Sequence, residues 1–216
     1  MTKKIIAITG LIGSGKNTAA EYLVEYHGFK QMSFAESLKD AVAVIFDWDR
    51  TLLEGATEES RLWREQVDQW WANRLGMPDL TPRWVLQYWG TEVCRVGFHN
   101  EIWIASLENK LRNINDNVVI SDCRFSNELD AVKSTGGITA RVSRGSNPAW
   151  YDAAVIYNKG KETPGWDIAK YQLEVSGVHI SEFASVGLEY DYYIQNNGSL
   201  EDLHIQVKKM LYEKEF

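Results

Sequence analysis

The sequence predicts an α/β fold, with helices covering a central parallel sheet. Three observations predict it. Ile5-Ile6-Ala7-Ile8 and Val118-Val119-Ile120 are short, wholly apolar runs, the pattern of strands buried on both faces. Helix-period segments alternate with such runs, a β-α-β-α succession whose crossovers make the strands parallel. A glycine-rich stretch, Gly10-Leu11-Ile12-Gly13-Ser14-Gly15-Lys16-Asn17-Thr18, joins the first run directly to the first helix.

Lys4 to Thr9 reads as the first strand and Thr18 to Tyr26 as the helix it feeds, with Ala19, Leu23 and Tyr26 at helical spacing and Gly28 ending it. A short strand at Lys30 to Ser33 precedes a helix over Glu36 to Phe46, with Leu38, Ala41, Val42 and Ile45 inward. From about Glu58, Leu62, Val67, Trp70, Trp71 and Leu75 repeat at helix period until Gly76-Met77-Pro78 stops them. Thr81 then caps a helix with Pro82 in its first turn, and Val85, Trp89, Val93 and Val96 are expected in the core. That leaves Arg83, Gln87, Thr91 and Arg95 as a polar stripe, either a solvated face or a functional one.

Val118 to Ile120 ends in Ser121-Asp122-Cys123-Arg124, and strand Ile138 to Val142 ends at Arg144. From about 145 to 178 the chain reads as irregular and aromatic, an inserted lid or flap. Tyr190 to Gln195 is the last strand. Asn196-Asn197-Gly198 turns it into a final helix capped by Ser199, with Asp202 three residues on.

A length of 216 residues with 44% hydrophobic content predicts a single domain, 1–216, with a helical region over approximately 47–112 and the lid over approximately 145–178. There is no apolar run long enough to span a membrane and no signal-peptide pattern, so a soluble, cytoplasmic protein without membrane partners is expected. The formal charge of −7 argues against a nucleic-acid partner, because such proteins neutralise phosphates with a basic face. Two cysteines lie far apart and four histidines form no short-range cluster, which predicts reduced thiols and no structural zinc. Of nine tryptophans, Trp48, Trp63, Trp70, Trp71, Trp84, Trp89 and Trp103 share the central segment; most are expected in the core, with one or two lining a pocket.

Strand, glycine loop and helix start, in that order, suit the phosphates of a nucleoside triphosphate. Glycines let the backbone turn its N–H groups inward, the helix adds its positive end, and Lys16 reaches the outer phosphates. A bare βα turn is the alternative, and it would not explain Lys16. The usual hydroxyl directly after the lysine, which holds Mg²⁺, is replaced by Asn17, with Thr18 one position later. Asp122 and Arg124 follow a strand expected to end at the same sheet edge, where ligands bind. An ion pair between Arg124 and Glu128, one helical turn apart, is the competing account.

With the glycine loop, Asp122-Cys123-Arg124 and Asn197-Gly198-Ser199-Leu200, the sequence resembles the deoxynucleoside monophosphate kinases of tailed bacteriophages, including the T-even type, nearly end to end. Further matches are Phe34-Ala35 with Leu38-Lys39, Arg83 with Gln87-Tyr88-Trp89-Gly90-Thr91-Glu92, Trp103, Glu128, and His179-Ile180-Ser181-Glu182. The resemblance implies a P-loop kinase three-layer fold, ATP as phosphoryl donor, Mg²⁺, a homodimer, and residence in host cytoplasm. It places Gly10, Ile12, Gly13, Ser14, Gly15, Lys16, Asn17 and Thr18 on the donor's phosphates, and Arg144, Asn197 and Gly198 near its adenine. Leu38, Lys39, Arg83, Gln87, Gly90, Thr91, Glu92, Trp103, Asp122, Arg124 and Glu128 would surround the acceptor. Lys16, Arg83, Asp122 and Arg124 would serve the transfer, and Asn17 and Asp122 would reach the metal through water. Trp103 would stack on the acceptor base or belong to the core.

Two other functions fit parts of the pattern. A P-loop kinase for another small phosphorylated acceptor, such as dephospho-coenzyme A, shares the sheet, the loop and the terminal Asn-Gly turn. A nucleotide-binding switch shares the loop, but would give Arg83 and Arg124 no task.

Overall fold

The structure, a computed structural model, describes residues 3–214. In chain order its elements are β1 (Ile5–Thr9), α1 (Lys16–His27), β2 (Lys30–Met32), α2 (Glu36–Phe46), a 3-10 turn (Leu52–Glu54), α3 (Glu58–Glu65), α4 (Gln69–Leu75) and α5 (Pro82–Tyr88). A π-helical stretch (Trp89–Val96) continues α5, followed by α6 (Ile102–Leu111), β3 (Val118–Ile120), α7 (Ser126–Ser134) and β4 (Ile138–Ser143). The chain ends with α8 (Tyr151–Asn158), α9 (Trp166–Ser176), α10 (Ile180–Phe183), β5 (Tyr192–Gln195) and α11 (Leu200–Glu213). The described residues up to Ser33 together with those from Lys110 onward form one compact unit, and residues 34–109 form another. Among the described residues no helix is long and apolar enough to cross a membrane. Cys94 and Cys123 are free thiols.

The first unit carries a five-stranded sheet in the order β2-β3-β1-β4-β5, with every pairing parallel. β1 and β3 are buried at every position, which is why their sequences lack polar alternation. Ile6, Ile8, Val119, Val142 and Ile194 of the sheet pack with Leu23 of α1 and Leu203, Val207 and Met210 of α11 into one core. Burying each such aliphatic side chain stabilises the fold by roughly 1.5–3 kcal/mol. β5 is an edge strand. Its Gln195 N–H donates to Oε1 of Gln206, and Nε2 of Gln206 donates back to the Gln195 carbonyl, each at 2.9 Å.

The segment expected to be irregular is a helical hairpin, α8 and α9, whose Ala153, Ala154, Ala169 and Leu173 form an apolar cluster with Phe183 of α10 and Val186. Its inward positions are largely alanines, which carry little hydrophobic signal, while glycines and Pro164 bound both helices. Tyr157 stacks on Trp166 at 5.2 Å, and the Trp166 indole N–H donates to the Tyr157 carbonyl at 3.0 Å.

The second unit is helical, as the periodicity predicts, but its phases differ in three places. On α2 the buried face is Leu38, Val42 and Phe46, while Ala41 and Ile45 are exposed. The helix expected from Glu58 onward is two helices: α3 ends at Glu65 as Gln66 turns extended, and Asp68 caps α4 by accepting from the backbone N–H groups of Trp70 and Trp71, both at 3.1 Å. Leu62, Trp70 and Leu75 consequently face outward. Phe46 is stacked on Trp48 at 4.4 Å and meets Trp71 and Trp89, and the Trp48 indole N–H donates to Asp68 at 2.8 Å. Trp48 and Trp103 are buried, whereas Trp70 and Trp84 are exposed.

The third departure follows α5. Thr81 caps it as expected, accepting from the Trp84 N–H at 3.1 Å. Past Tyr88 the winding loosens: the Gly97 N–H reaches the Glu92 carbonyl at 3.0 Å and the His99 N–H reaches Cys94 at 2.9 Å, five residues back. The wider turn rotates Val93 and Val96 to the outside and brings Thr91 and Arg95 inside. The expectation that Val93 and Val96 line the core is therefore corrected, and the stripe is no solvated face at Thr91 and Arg95.

Candidate functional site

In a parallel sheet every strand ends at the same edge, so the segments after β1, β3, β4 and β5 converge there. After β1, Gly10, Gly13 and Gly15 take φ values of 157°, 76° and 95°, which turn the chain sharply into α1. The Ser14 N–H donates to the Leu11 carbonyl at 3.1 Å, closing the loop. Lys16 opens α1 half-buried, its Nζ 3.5 Å from the Leu11 carbonyl, while Asn17 and Ile12 are exposed and Thr18 is half-buried. A helix start facing a ring of backbone N–H groups attracts anions.

Two neighbours fix the loop. A side chain at Gly10 would lie 2.4 Å from the Val142 carbonyl, so loop and β4 touch backbone to backbone. Asn196, buried at the end of β5, donates from Nδ2 to the Ser14 carbonyl at 2.9 Å. Asn196 is not among the residues predicted from sequence. The strand alternation Ile194 in, Gln195 out, Asn196 in would have found it, because successive side chains take opposite faces. Asn196→Ala leaves the buried Ser14 carbonyl without its donor, which costs roughly 1–3 kcal/mol. We expect a lower unfolding midpoint together with a raised KM for the nucleotide donor, and a normal KM would show that the contact does not shape the loop.

Asn197, the predicted neighbour, accepts from the Gly145 N–H at 2.8 Å, which ties the exposed Arg144 turn to the Asn197-Gly198 turn. Gly198 lies close to Asp202, whose carboxylate accepts from the Ser199 N–H at 2.8 Å and caps α11.

After β3, Asp122 accepts from the Ser33 hydroxyl at 2.6 Å. That contact follows from the β2–β3 register, in which Met32 lies opposite Ile120. The Arg124 guanidinium donates to Glu182 at 2.8 Å and to the Ser181 carbonyl at 3.0 Å. Burial opposes its charge, but Glu182 first, then Asp122 and Glu128, hold its pKa above the ordinary arginine value. Glu128, nearly fully buried, accepts from the backbone N–H groups of Arg124 and Phe125 at 2.7 and 3.1 Å and so caps α7. The competing ion pair is thus replaced by a backbone cap, and the carboxylate on the guanidinium is Glu182. No spacing rule links positions 124 and 182, although His179-Ile180-Ser181-Glu182 stands among the matching motifs.

The second unit holds the remaining predicted residues. Leu38 is buried, and a side chain at Gly90 would lie 2.9 Å from it. Thr91 is buried and Gln87 and Glu92 are half-buried. The buried Trp103 indole N–H donates to the Gly90 carbonyl at 2.8 Å. Lys39 donates to Glu54 at 2.5 Å, and Arg50 bridges Glu54 and Asp40. Burial works to raise the Glu54 pKa, but Lys39 and Arg50 outweigh it and hold the carboxyl below its usual range. Arg83 meets Glu65 at 3.1 Å. Among the described residues no three His, Cys, Asp or Glu side chains converge on a metal site.

No family model matches the chain. A protein of Acanthamoeba polyphaga mimivirus described as "Putative deoxynucleotide monophosphate kinase" is 31% identical over 217 residues, which covers 94% of this chain and 93% of the relative. Among solved structures, a dephospho-CoA kinase from Campylobacter jejuni is similar at TM-score 0.45 and 17% identity, covering 99% of this chain and 98% of that one. A shikimate kinase from Bacteroides thetaiotaomicron is similar at TM-score 0.43 and 13% identity, covering 99% of each chain.

Proposed function

This chain belongs to the deoxynucleotide monophosphate kinase family, and on that footing we propose that it transfers the γ-phosphoryl group of ATP to a deoxynucleoside 5′-monophosphate, giving the diphosphate for DNA synthesis. The observation that carries the reading is the shared strand edge: the glycine loop with Lys16 follows β1, and Asp122 with Arg124 follows the adjacent β3. Within the family, Ser14-Gly15-Lys16-Asn17-Thr18 and the Asn197-Gly198 turn favour the tailed-phage type, with Asn17 in place of that type's aspartate.

The second ionisation of a phosphate monoester lies near pH ~6, so at neutral pH the attacking oxygen is already anionic and no general base is required. The protein's task is to offset the repulsion between two anions and to stabilise charge on the moving phosphoryl group. Lys16 and the loop N–H groups take the donor's phosphates. Arg124 and Arg83 take the acceptor phosphate or the transferring group, and Lys39 adds a further cation. Gln87, Thr91 and Glu92 read the base, with Trp103 holding Gly90 and hence their register. Arg144, Asn197 and Gly198 border the donor's adenine.

Mg²⁺ fits this donor set. Asp122 is a hard oxygen ligand and Asn17 an amide one, which suits a cation held mainly by phosphates and waters. Asp122 and Asn17 would hold its water shell, and the bound ion would supply charge neutralisation on the phosphates.

A panel of deoxynucleoside monophosphates, ribonucleotides and dephospho-coenzyme A in a coupled ADP assay tests the reading. Acceptor-dependent ADP release restricted to deoxynucleoside monophosphates is expected. Release with dephospho-coenzyme A alone, or hydrolysis independent of any acceptor, would overturn it. In the same assay Arg83→Ala should lower acceptor kcat/KM by about a hundredfold with ATP affinity little changed, whereas equal weakening of both ligands would remove Arg83 from the acceptor.

A further inference from the structure

Arg141 lies in the middle of the sheet, 7% exposed, and among the described residues no carboxylate pairs with it. Its partners are neutral: Nη1 donates to the Ser185 carbonyl at 3.2 Å, and Nη2 donates to the Tyr151 hydroxyl at 3.3 Å. The guanidinium also lies 5.7 Å from the ring centroids of Tyr151 and Tyr190. Such a charge is costly to bury, and π faces and a carbonyl compensate it only in part.

Its position gives that cost a use. Arg141 is the β4 partner of Thr9, the last residue of β1 before the glycine loop, so both side chains leave the sheet on one face. Thr9 donates to the Ser185 hydroxyl at 3.3 Å, and Ser185 thereby joins the two strands. Leu11 of the loop packs on the α8–α9 cluster, and Tyr151 stands at the start of α8. The cation therefore lies where hairpin, strand end and loop meet.

We propose that Arg141 is a positioning residue for the nucleoside triphosphate, an unneutralised buried cation behind the loop that raises affinity for the donor's phosphates. The inference rests on the donor-site reading given above. Coulomb attraction in this low-dielectric setting is screened less than at the surface, and it scales with the charge of the ligand.

Equilibrium binding of adenosine, ADP and ATP to the wild type, Arg141→Met and Arg141→Lys separates charge from packing. Arg141→Met should lose about tenfold in ATP affinity, less for ADP and nothing for adenosine, while Arg141→Lys should stay within about threefold of wild type. Equal loss for all three ligands, or wild-type ATP binding by Arg141→Met, overturns the proposal. If Arg141→Met does not fold, Arg141→Lys decides alone: tenfold weaker ATP binding at an unchanged unfolding midpoint overturns it. A wild type that gains nothing from adenosine to ATP would instead sink the donor-site reading itself.

Discussion

Lys16→Ala is expected to lower turnover by about 10³-fold or more while leaving the protein folded. The two halves of that expectation rest on different features. Lys16 opens α1 half-buried with its ammonium 3.5 Å from the Leu11 carbonyl, and the residues that bury this helix are Ala19, Ala20 and Leu23. Alanine is at least as good a helix former as lysine, so the unfolding midpoint should not move. What disappears is the one ammonium carried by the loop, whose contribution grows as charge builds on the transferring phosphoryl group. A coupled ADP assay beside a thermal unfolding curve checks both halves. Turnover within tenfold of wild type in a folded variant would remove Lys16 from the chemistry.

The second large effect concerns Arg124. Arg124→Met should lower acceptor kcat/KM by about a hundredfold or more, because the guanidinium's neutralising charge is lost where the two phosphates are expected to meet. Its pairing with Glu182 offers an alternative, that Arg124 merely anchors α10. Glu182→Gln separates the two. If Arg124 serves substrate, Glu182→Gln keeps the cation and should retain most of the activity while shifting the unfolding midpoint by no more than Arg124→Met does. If Arg124 is an anchor, both variants should lose stability alike and neither should lose activity once folded. The Arg124 side chain is 37% exposed, so solvent screening limits the stability at stake to the modest range of partly exposed pairs, about 1 kcal/mol.

The sheet and its loop were legible because their signals are local. An apolar run of strand length, glycines at positions with positive φ and a helix start beside them require no knowledge of distant residues. The central parallel strand at Val118 to Ile120 was legible for the same reason. What was hidden depends on contacts far apart in sequence or on small side chains. Alanines at 153, 154 and 169 bury the α8–α9 hairpin without announcing it. Asp68 splits a continuous apolar period by capping from within it. The π-helical winding of Trp89–Val96 shifts the phase along that stretch, so a regular helical period points Val93 and Val96 inward where the backbone exposes them. The position of Asp122 and Arg124 just past the end of β3 is readable from sequence, but their partners Ser33 and Glu182 are not, since each comes from another segment.

Gln206 turns an edge into an ending. By offering an amide oxygen and an amide nitrogen to the outer side of β5, one side chain imitates the backbone of an absent neighbour. A second chain approaching along that rim finds the ladder's last rung, at Gln195, already taken, which blunts that end of the strand as a template for growth.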